Sequence, residues 1–142
     1  MLPLFSLLTA IPFIRPAGSP EPAPELFSPV ISDKILATFN ASLPQPARYP
    51  QYTDRTDGVW LFFNPDTWTS GFLPATGYAL NKRKLICGNS AGQLQNVDWL
   101  SLSRSASDAL IPLEIKNGIG HDVGFLSIPF MEELAMFVLR KR

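Results

Sequence analysis

The segment 93-QLQNVDWLSLSRSASDAL-110 carries the clearest helical pattern in the chain. Its apolar residues recur mostly at intervals of three and four, which places them on one face of an α-helix. They are Leu94, Val97, Leu100, Leu102, Ala106, Ala109 and Leu110. Trp99 lies near this face, and Pro112 marks the end of the pattern because proline disrupts a helix interior. We therefore predict an amphipathic helix over about 93–110.

Two further helices are predicted upstream. Ser28 and Pro29 are typical of a helix N-cap and a first helical position, and apolar residues at near-helical spacing follow them. This pattern predicts a helix over about 29–40. A second helix is predicted within 68–84, with Thr69 or Ser70 as its cap, although Pro74 and Gly77 would strain or kink it.

Asp122 can cap a final helix that runs to about 138, in which Pro129 can introduce a kink. Between the helices, residues 43–50 contain three prolines and predict a loop, and 59–63 is either a short strand or a buried loop. Loops are also predicted at 87–92 and 117–121. The sum is an all-α class, with four helical segments joined by Gly/Pro-rich loops.

The first 27 residues differ in composition from the rest. Residues 1–14 are apolar but contain no Lys or Arg, so the basic n-region of a signal peptide is missing. The missing n-region favours a cytoplasmic over a secreted location. The segment is also too short to cross a bilayer as a helix. Residues 15–27 have a linker composition rich in proline. The predicted division is therefore a leader and linker over 1–27 and one domain over 28–142.

Charge and cysteine content exclude several classes of partner and cofactor. Lys+Arg and Asp+Glu number 12 each, so the formal net charge is zero and there is no global attraction to nucleic acid or to an anionic membrane. Cys87 is the only cysteine, which excludes an internal disulfide, and no cluster of ligands predicts a metal. The serine-rich stretch at 101–107 lacks the GxSxG pattern of a nucleophilic serine.

Two short segments hold the candidate chemistry, and each has two interpretations. His121 is the only histidine, and Asp122 follows it within 118-GIGHDVGF-125. Asp122 is either a helix cap or a catalytic carboxylate, in which case His121 would donate a hydrogen bond to substrate. Trp68, within 66-DTWTSGF-72, is either a core residue or a surface on which a sugar ring stacks.

Taken in order, four stretches resemble one enzyme family. They are 49-YPQYTDRTDGVW-60, 66-DTWTSGFLPATGYAL-80, 98-DWLSLSRSASDALIPLE-114 and 120-GHDVGFLSIPFMEE-133. The order of a W-T-x-G-F segment, a helix and an H-D-x-G-F segment is similar to that in the unsaturated glucuronyl hydrolases, glycoside hydrolase family 88, and above all in their fungal members. The match covers about residues 28–138, and Pro74-Ala75 departs from the family's Pro-Gly.

The resemblance implies a fold, a reaction and a set of site residues. The fold is an (α/α)6 barrel of six helical hairpins. The substrate is an oligosaccharide with an unsaturated uronic acid at its non-reducing end, and water adds across the C4=C5 bond without any cofactor. Trp68 would form an aromatic wall of the sugar site, His121 would contact substrate, and Asp122 would be the first of two active-site aspartates.

Chain length and aspartate content set limits on that expectation. Twelve helices with their connections need roughly 180–200 residues, so residues 28–142 can supply about two of the six hairpins. The family's second aspartate lies well after the H-D segment, whereas residues 123–142 contain no aspartate. We therefore expect a truncated, inactive N-terminal portion of such an enzyme. The alternatives are a non-catalytic helical remnant that binds a sugar or a protein, and an unrelated small helical domain.

Overall fold

The computed structural model describes residues 23–88, 94 and 96–139, and within them the chain is mostly helical, as the sequence predicts. The α-helices are α1 (Pro29–Ser42), α2 (Phe72–Cys87), α3 (Trp99–Asp108), α4 (Val123–Leu126) and α5 (Ile128–Leu139). Strands β1 (Tyr49–Thr53) and β2 (Trp60–Phe63) pair in an antiparallel hairpin between α1 and α2. The all-α class is therefore confirmed, with one small hairpin added to it.

Helix α1 begins where the sequence predicts. The side chain of Ser28 accepts a hydrogen bond from the backbone N–H of Val30, 3.3 Å away, and Pro29 occupies the first turn. This cap satisfies one of the donors that a helix leaves unpaired at its start. The helix continues two residues beyond the predicted end, to Ser42, and its Phe39 is fully buried.

The hairpin corrects the prediction for residues 43–63. Tyr49 and Pro50 were expected in a loop, but they begin β1 and pair with Phe63 and Phe62. The register shifts at Gln51, which makes a β-bulge. Of the two interpretations of 59–63, the strand is correct. Residues 43–48, which precede β1, form no helix, as the prolines of this segment predict.

The turn of the hairpin is built around Asp54. Its carboxylate accepts the backbone N–H groups of Asp57 and Thr56, at 2.9 and 2.8 Å, and these bonds hold the pKa of Asp54 below its usual value. Gly58 has a φ of +67°, a conformation that residues with a Cβ rarely adopt. The Asp57-Gly58 turn signal is thus confirmed.

Helices α2 and α3 pack closely because a glycine faces the contact. A Cβ on Gly77 would lie 2.8 Å from Cζ of Phe39 and would overlap the hydroxyl of Ser103. Gly77 was predicted to weaken α2, yet the helix runs unbroken from Phe72 to Cys87. Pro74 lies in its first turn, where the missing N–H costs little.

The start of α3 and the last predicted helix also differ from expectation. Helix α3 begins at Trp99 and not near residue 93, because the Asp98 side chain caps it by accepting from the N–H of Ser101 at 3.1 Å. The predicted single helix from Asp122 is divided in two. Helix α4 ends at Leu126, and the hydroxyl of Ser127 donates to Glu114 at 2.8 Å. Helix α5 then starts with Pro129 in its first turn.

The core lies where α1, α2, α3 and the hairpin meet. Its fully buried large side chains include Phe39 and Trp99, whose ring centroids are 6.3 Å apart. Tyr49 is also fully buried and donates its hydroxyl to the carbonyl of Ala106, and burial raises the pKa of this phenol. Leu110 and Leu126 are fully buried as well, and Leu73, Leu80 and Leu94 are nearly so. Trp99 is therefore a core residue, which agrees with its position near the apolar face of the predicted helix.

Parts of the predictions fall on residues outside the description. The leader at 1–14, the loop at 89–93 and the last three residues, 140–142, are among them. Of the predicted linker at 15–27, only the end is described, and Pro24–Phe27 forms a single 3-10 turn. The division at residue 27 stays a prediction.

Candidate functional site

The two segments that carry the candidate chemistry are held together by a backbone-to-carboxylate contact. Asp66 precedes the W-T-S-G-F segment, and Gly118 precedes the H-D-V-G-F segment. The N–H of Gly118 donates to both carboxylate oxygens of Asp66, at 2.9 and 2.8 Å. A Cβ on Gly118 would lie 2.8 Å from one of those oxygens, so glycine permits this approach. Residues 52 positions apart are thereby joined.

A second contact brings the start of α2 against α4. A Cβ on Gly71 would overlap the carbonyl oxygen of Phe125 and would lie 3.0 Å from Cα of Leu126. The neighbouring atoms belong to the backbone and cannot rotate away. Glycine is therefore required at position 71 because the backbone of α4 approaches it closely. An unusual dihedral angle is not the reason, since the φ of Gly71 is −69°.

Trp68, Phe72 and Phe125 form an aromatic cluster on the surface at this junction. Ring centroids are 5.8 Å apart for Trp68 with each phenylalanine and 5.7 Å for the two phenylalanines, all in edge-to-face arrangements. Their exposed fractions are 45%, 38% and 41%. Trp68 is therefore not a core residue, and the interpretation in which it offers a ring face to a ligand remains open to it.

His121 and Asp122 lie in a 3-10 turn, Gly120–Asp122, that leads directly into α4 and Phe125. His121 Nε2 is 3.3 Å from Oδ1 of Asp122, and their side chains are 95% and 37% exposed. Asp122 occupies the N-cap position of α4, as the capping interpretation predicts, but its side chain makes no capping hydrogen bond. The structure thus places Asp122 on the turn directly before α4, the helix that carries Phe125 of the aromatic cluster.

A cleft of about 380 Å³ lies beside this cluster. It runs between α1, the hairpin and the start of α2, and Phe72 and Thr69 are among the residues that line it, whereas Trp68, His121 and Asp122 are not. Phe72 is therefore shared between the cluster and the cleft.

The charged groups of α3 and α5 form a structural network away from these residues. Arg104 forms an ion pair with Glu133, which also accepts a hydrogen bond from the Tyr78 hydroxyl at 2.8 Å. Burial, followed by the bond to Glu133, raises the pKa of Tyr78 to about 12. Glu133 is thus engaged in joining α2, α3 and α5.

Sequence reasoning missed three residues that build the junction. The sequence-based predictions give Asp66, Gly71 and Phe125 no role of their own. A signal for Asp66 exists, because a carboxylate two residues before Trp68 is well placed to accept backbone N–H groups from another loop. The contact of Gly71 with a distant backbone leaves no local signal.

Among the residues that the structure describes, no group of three or more His, Cys, Asp or Glu side chains is placed to hold a metal ion. No helix in the described ranges is long and apolar enough to span a bilayer. No protein-family model matches the sequence, and no significant match exists among curated proteins or solved structures.

Proposed function

We propose that the junction of the two segments is the first part of a sugar site of the unsaturated glucuronyl hydrolase kind, and that α1 to α5 correspond to about two of the six hairpins of an (α/α)6 barrel. The observation that carries the proposal is the docking of the segment 66–72 on the segment 118–125. It rests on the Asp66–Gly118 hydrogen bonds and on the close approach of Gly71 to Phe125.

Each side chain has a role that its surroundings allow. Trp68 is 45% exposed beside Phe72 and Phe125, and its ring can pack against the apolar face of a pyranose. His121 is almost fully exposed and can donate a hydrogen bond to a sugar hydroxyl or carboxylate. Asp122 is partly exposed and offers a carboxylate for proton transfer.

The reaction that this set would serve is hydration of the substrate's double bond. A proton adds to C4, water adds to C5, and the resulting hemiketal opens and releases the adjoining sugar. The resemblance assigns both proton delivery and water activation to the second aspartate, which lies well after the H-D segment, and residues 123–142 contain no aspartate. We therefore expect this chain to bind the sugar without turning it over.

The test uses a disaccharide with a 4,5-unsaturated uronic acid at its non-reducing end. We expect saturable binding by isothermal calorimetry, a loss of about tenfold or more in Trp68→Ala because a stacked ring face is removed, and a smaller loss in Asp122→Asn. Trp60→Ala is the matched control, since Trp60 is an equally exposed tryptophan that lines the neighbouring cleft. Equal affinity in Trp68→Ala and wild type would exclude this site.

The second candidate is a non-catalytic helical module that uses the same surface to bind a sugar or a protein. Its support is that the three aromatic side chains are exposed while His121 and Asp122 pair with each other. A loss of ultraviolet absorbance from the double bond would exclude this second candidate, whereas constant absorbance is the expected result for both. Turnover by the 142-residue chain would favour the enzyme and would overturn the argument from the missing aspartate.

A further inference from the structure

The cleft beside the aromatic cluster contains a buried hydroxyl without a partner. Thr69 is 8% exposed and lines the cleft, and its Oγ1 has no hydrogen-bond partner within the described residues. Buried hydroxyls are nearly always bonded, because an unpaired one costs free energy. The neighbouring hydroxyls of Thr38 and Thr76 obey this rule, since they donate to the carbonyls of Lys34 and Phe72 at 2.9 and 2.8 Å. The hydroxyl of Thr69 therefore lacks the hydrogen-bond partner that the hydroxyls of Thr38 and Thr76 have.

The rest of the lining is apolar and aromatic, with a single charge. Ile35, Pro50, Leu73 and the rings of Trp60 and Phe72 form the walls. Lys34 is the only charged side chain among the lining residues, and it is positive. The cleft volume of about 380 Å³ is within the range of small-ligand sites.

The hairpin supplies one side of this cleft. The β-bulge at Gln51 breaks the alternation of β1, and Gln51 lines the cleft together with Trp60 from β2. Bulges commonly redirect a side chain towards a site. Gln51 adds an amide, which can both donate and accept.

We propose that this cleft binds a small aromatic carboxylate. Its planar ring would lie between Trp60 and Phe72, and its carboxylate would meet the Lys34 ammonium. The Thr69 hydroxyl is buried beneath the cleft surface, and a rotation about the Cα–Cβ bond of Thr69 on binding would bring it to the ligand. The positive lining charge favours an anion over a neutral or cationic ring, and the aromatic walls favour a flat body over an aliphatic chain. This site is separate from the sugar site proposed above, although Phe72 borders both.

The probe for the first experiment is 2-naphthoate, with 2-naphthamide as the neutral ligand of the same shape. We expect saturable chemical-shift changes at the amides of Lys34, Gln51 and Thr69, and an affinity for the amide that is about fivefold lower, as for loss of an exposed ion pair. Lys34→Met should remove the difference between the two probes. Equal affinity of both probes for the wild-type protein would overturn the proposal.

The second experiment uses Thr69→Val, which keeps the side-chain shape and removes the hydroxyl. We expect naphthoate affinity to fall about fivefold, the effect of one hydrogen bond, while the melting temperature of the free protein stays the same or rises. Thr76→Val is the matched control, because its hydroxyl is already bonded to the helix, and its naphthoate affinity should stay within about twofold of wild type. If Thr69→Val binds naphthoate as wild type does, or if it lowers the melting temperature of the free protein as a bonded hydroxyl would, the assignment of Thr69 is wrong.

Discussion

Adding one methyl group at Gly71 tests the junction on which the proposed sugar site depends. The backbone of Gly71 is in the ordinary right-handed region, with φ −69° and ψ −19°, so alanine adds no dihedral strain. The new Cβ would overlap the carbonyl oxygen of Phe125 and lie 3.0 Å from Cα of Leu126. Overpacking costs about 1–3 kcal/mol. We expect the upper end, about 3 kcal/mol, because backbone atoms cannot rotate out of the way.

Gly124→Ala is the matched control, since it adds the same methyl group within α4. A Cβ on Gly124 would meet nothing within 4 Å, so the change should be neutral or stabilise by up to about 1 kcal/mol. Urea unfolding followed by circular dichroism gives both values. If Gly71→Ala is as stable as Gly124→Ala, the two segments do not pack as described and the sugar site loses its support.

Three further predictions concern the core and the titrating groups. Phe39→Ala should cost about 3–5 kcal/mol in urea unfolding because it empties a fully buried ring site against Trp99, whereas loss of less than about 1 kcal/mol would contradict that packing. Tyr78 has a pKa raised to about 12, so its contribution to the free energy of unfolding is present below about pH 10 and is lost as the pH rises towards 12. Tyr78→Phe should therefore flatten the decline in unfolding free energy over that pH range. Parallel curves for the variant and the wild type would refute this. The pKa of Asp98 is lowered mainly by the N–H of Ser101, so its contribution to stability is present above about pH 4 and is lost on acidification. Asp98→Asn should keep the cap and should reduce the fall in melting temperature at acidic pH. A fall equal to that of the wild type would refute this.

Local signals account for the parts of the fold that were predicted correctly. Ser28-Pro29 places the start of α1, because a cap and a first-turn proline act within three residues. Strand β1 was missed because it is short and contains Pro50, and β2 was predicted only as one of two alternatives because it has four residues. The division between α4 and α5 was predicted only as a kink at Pro129. Ser127, at the break, also bonds to Glu114 on the distant turn Ile111–Glu114.

The candidate site shows the same separation between local and distant causes. Trp68, His121 and Asp122 were proposed from short segments, and Asp122 takes the predicted N-cap position without making the capping hydrogen bond. The residues that bring the segments together, Asp66 and Gly71, act on partners more than 50 positions away. No spacing rule within one segment can identify such residues.

Substitutions of the two exposed tryptophans, Trp60 and Trp68, distinguish the two proposed sites, whereas a substitution of Phe72 does not. Phe72 contacts Trp68 and also lines the cleft, so a substitution there would affect both ligands for reasons that cannot be separated. Trp60 lines only the cleft, and Trp68 belongs only to the cluster. Loss of disaccharide binding in Trp68→Ala alone, with loss of naphthoate binding in Trp60→Ala alone, would therefore establish two separate sites. Loss of both ligands in both variants would mean instead that the cluster and the cleft bind as one surface.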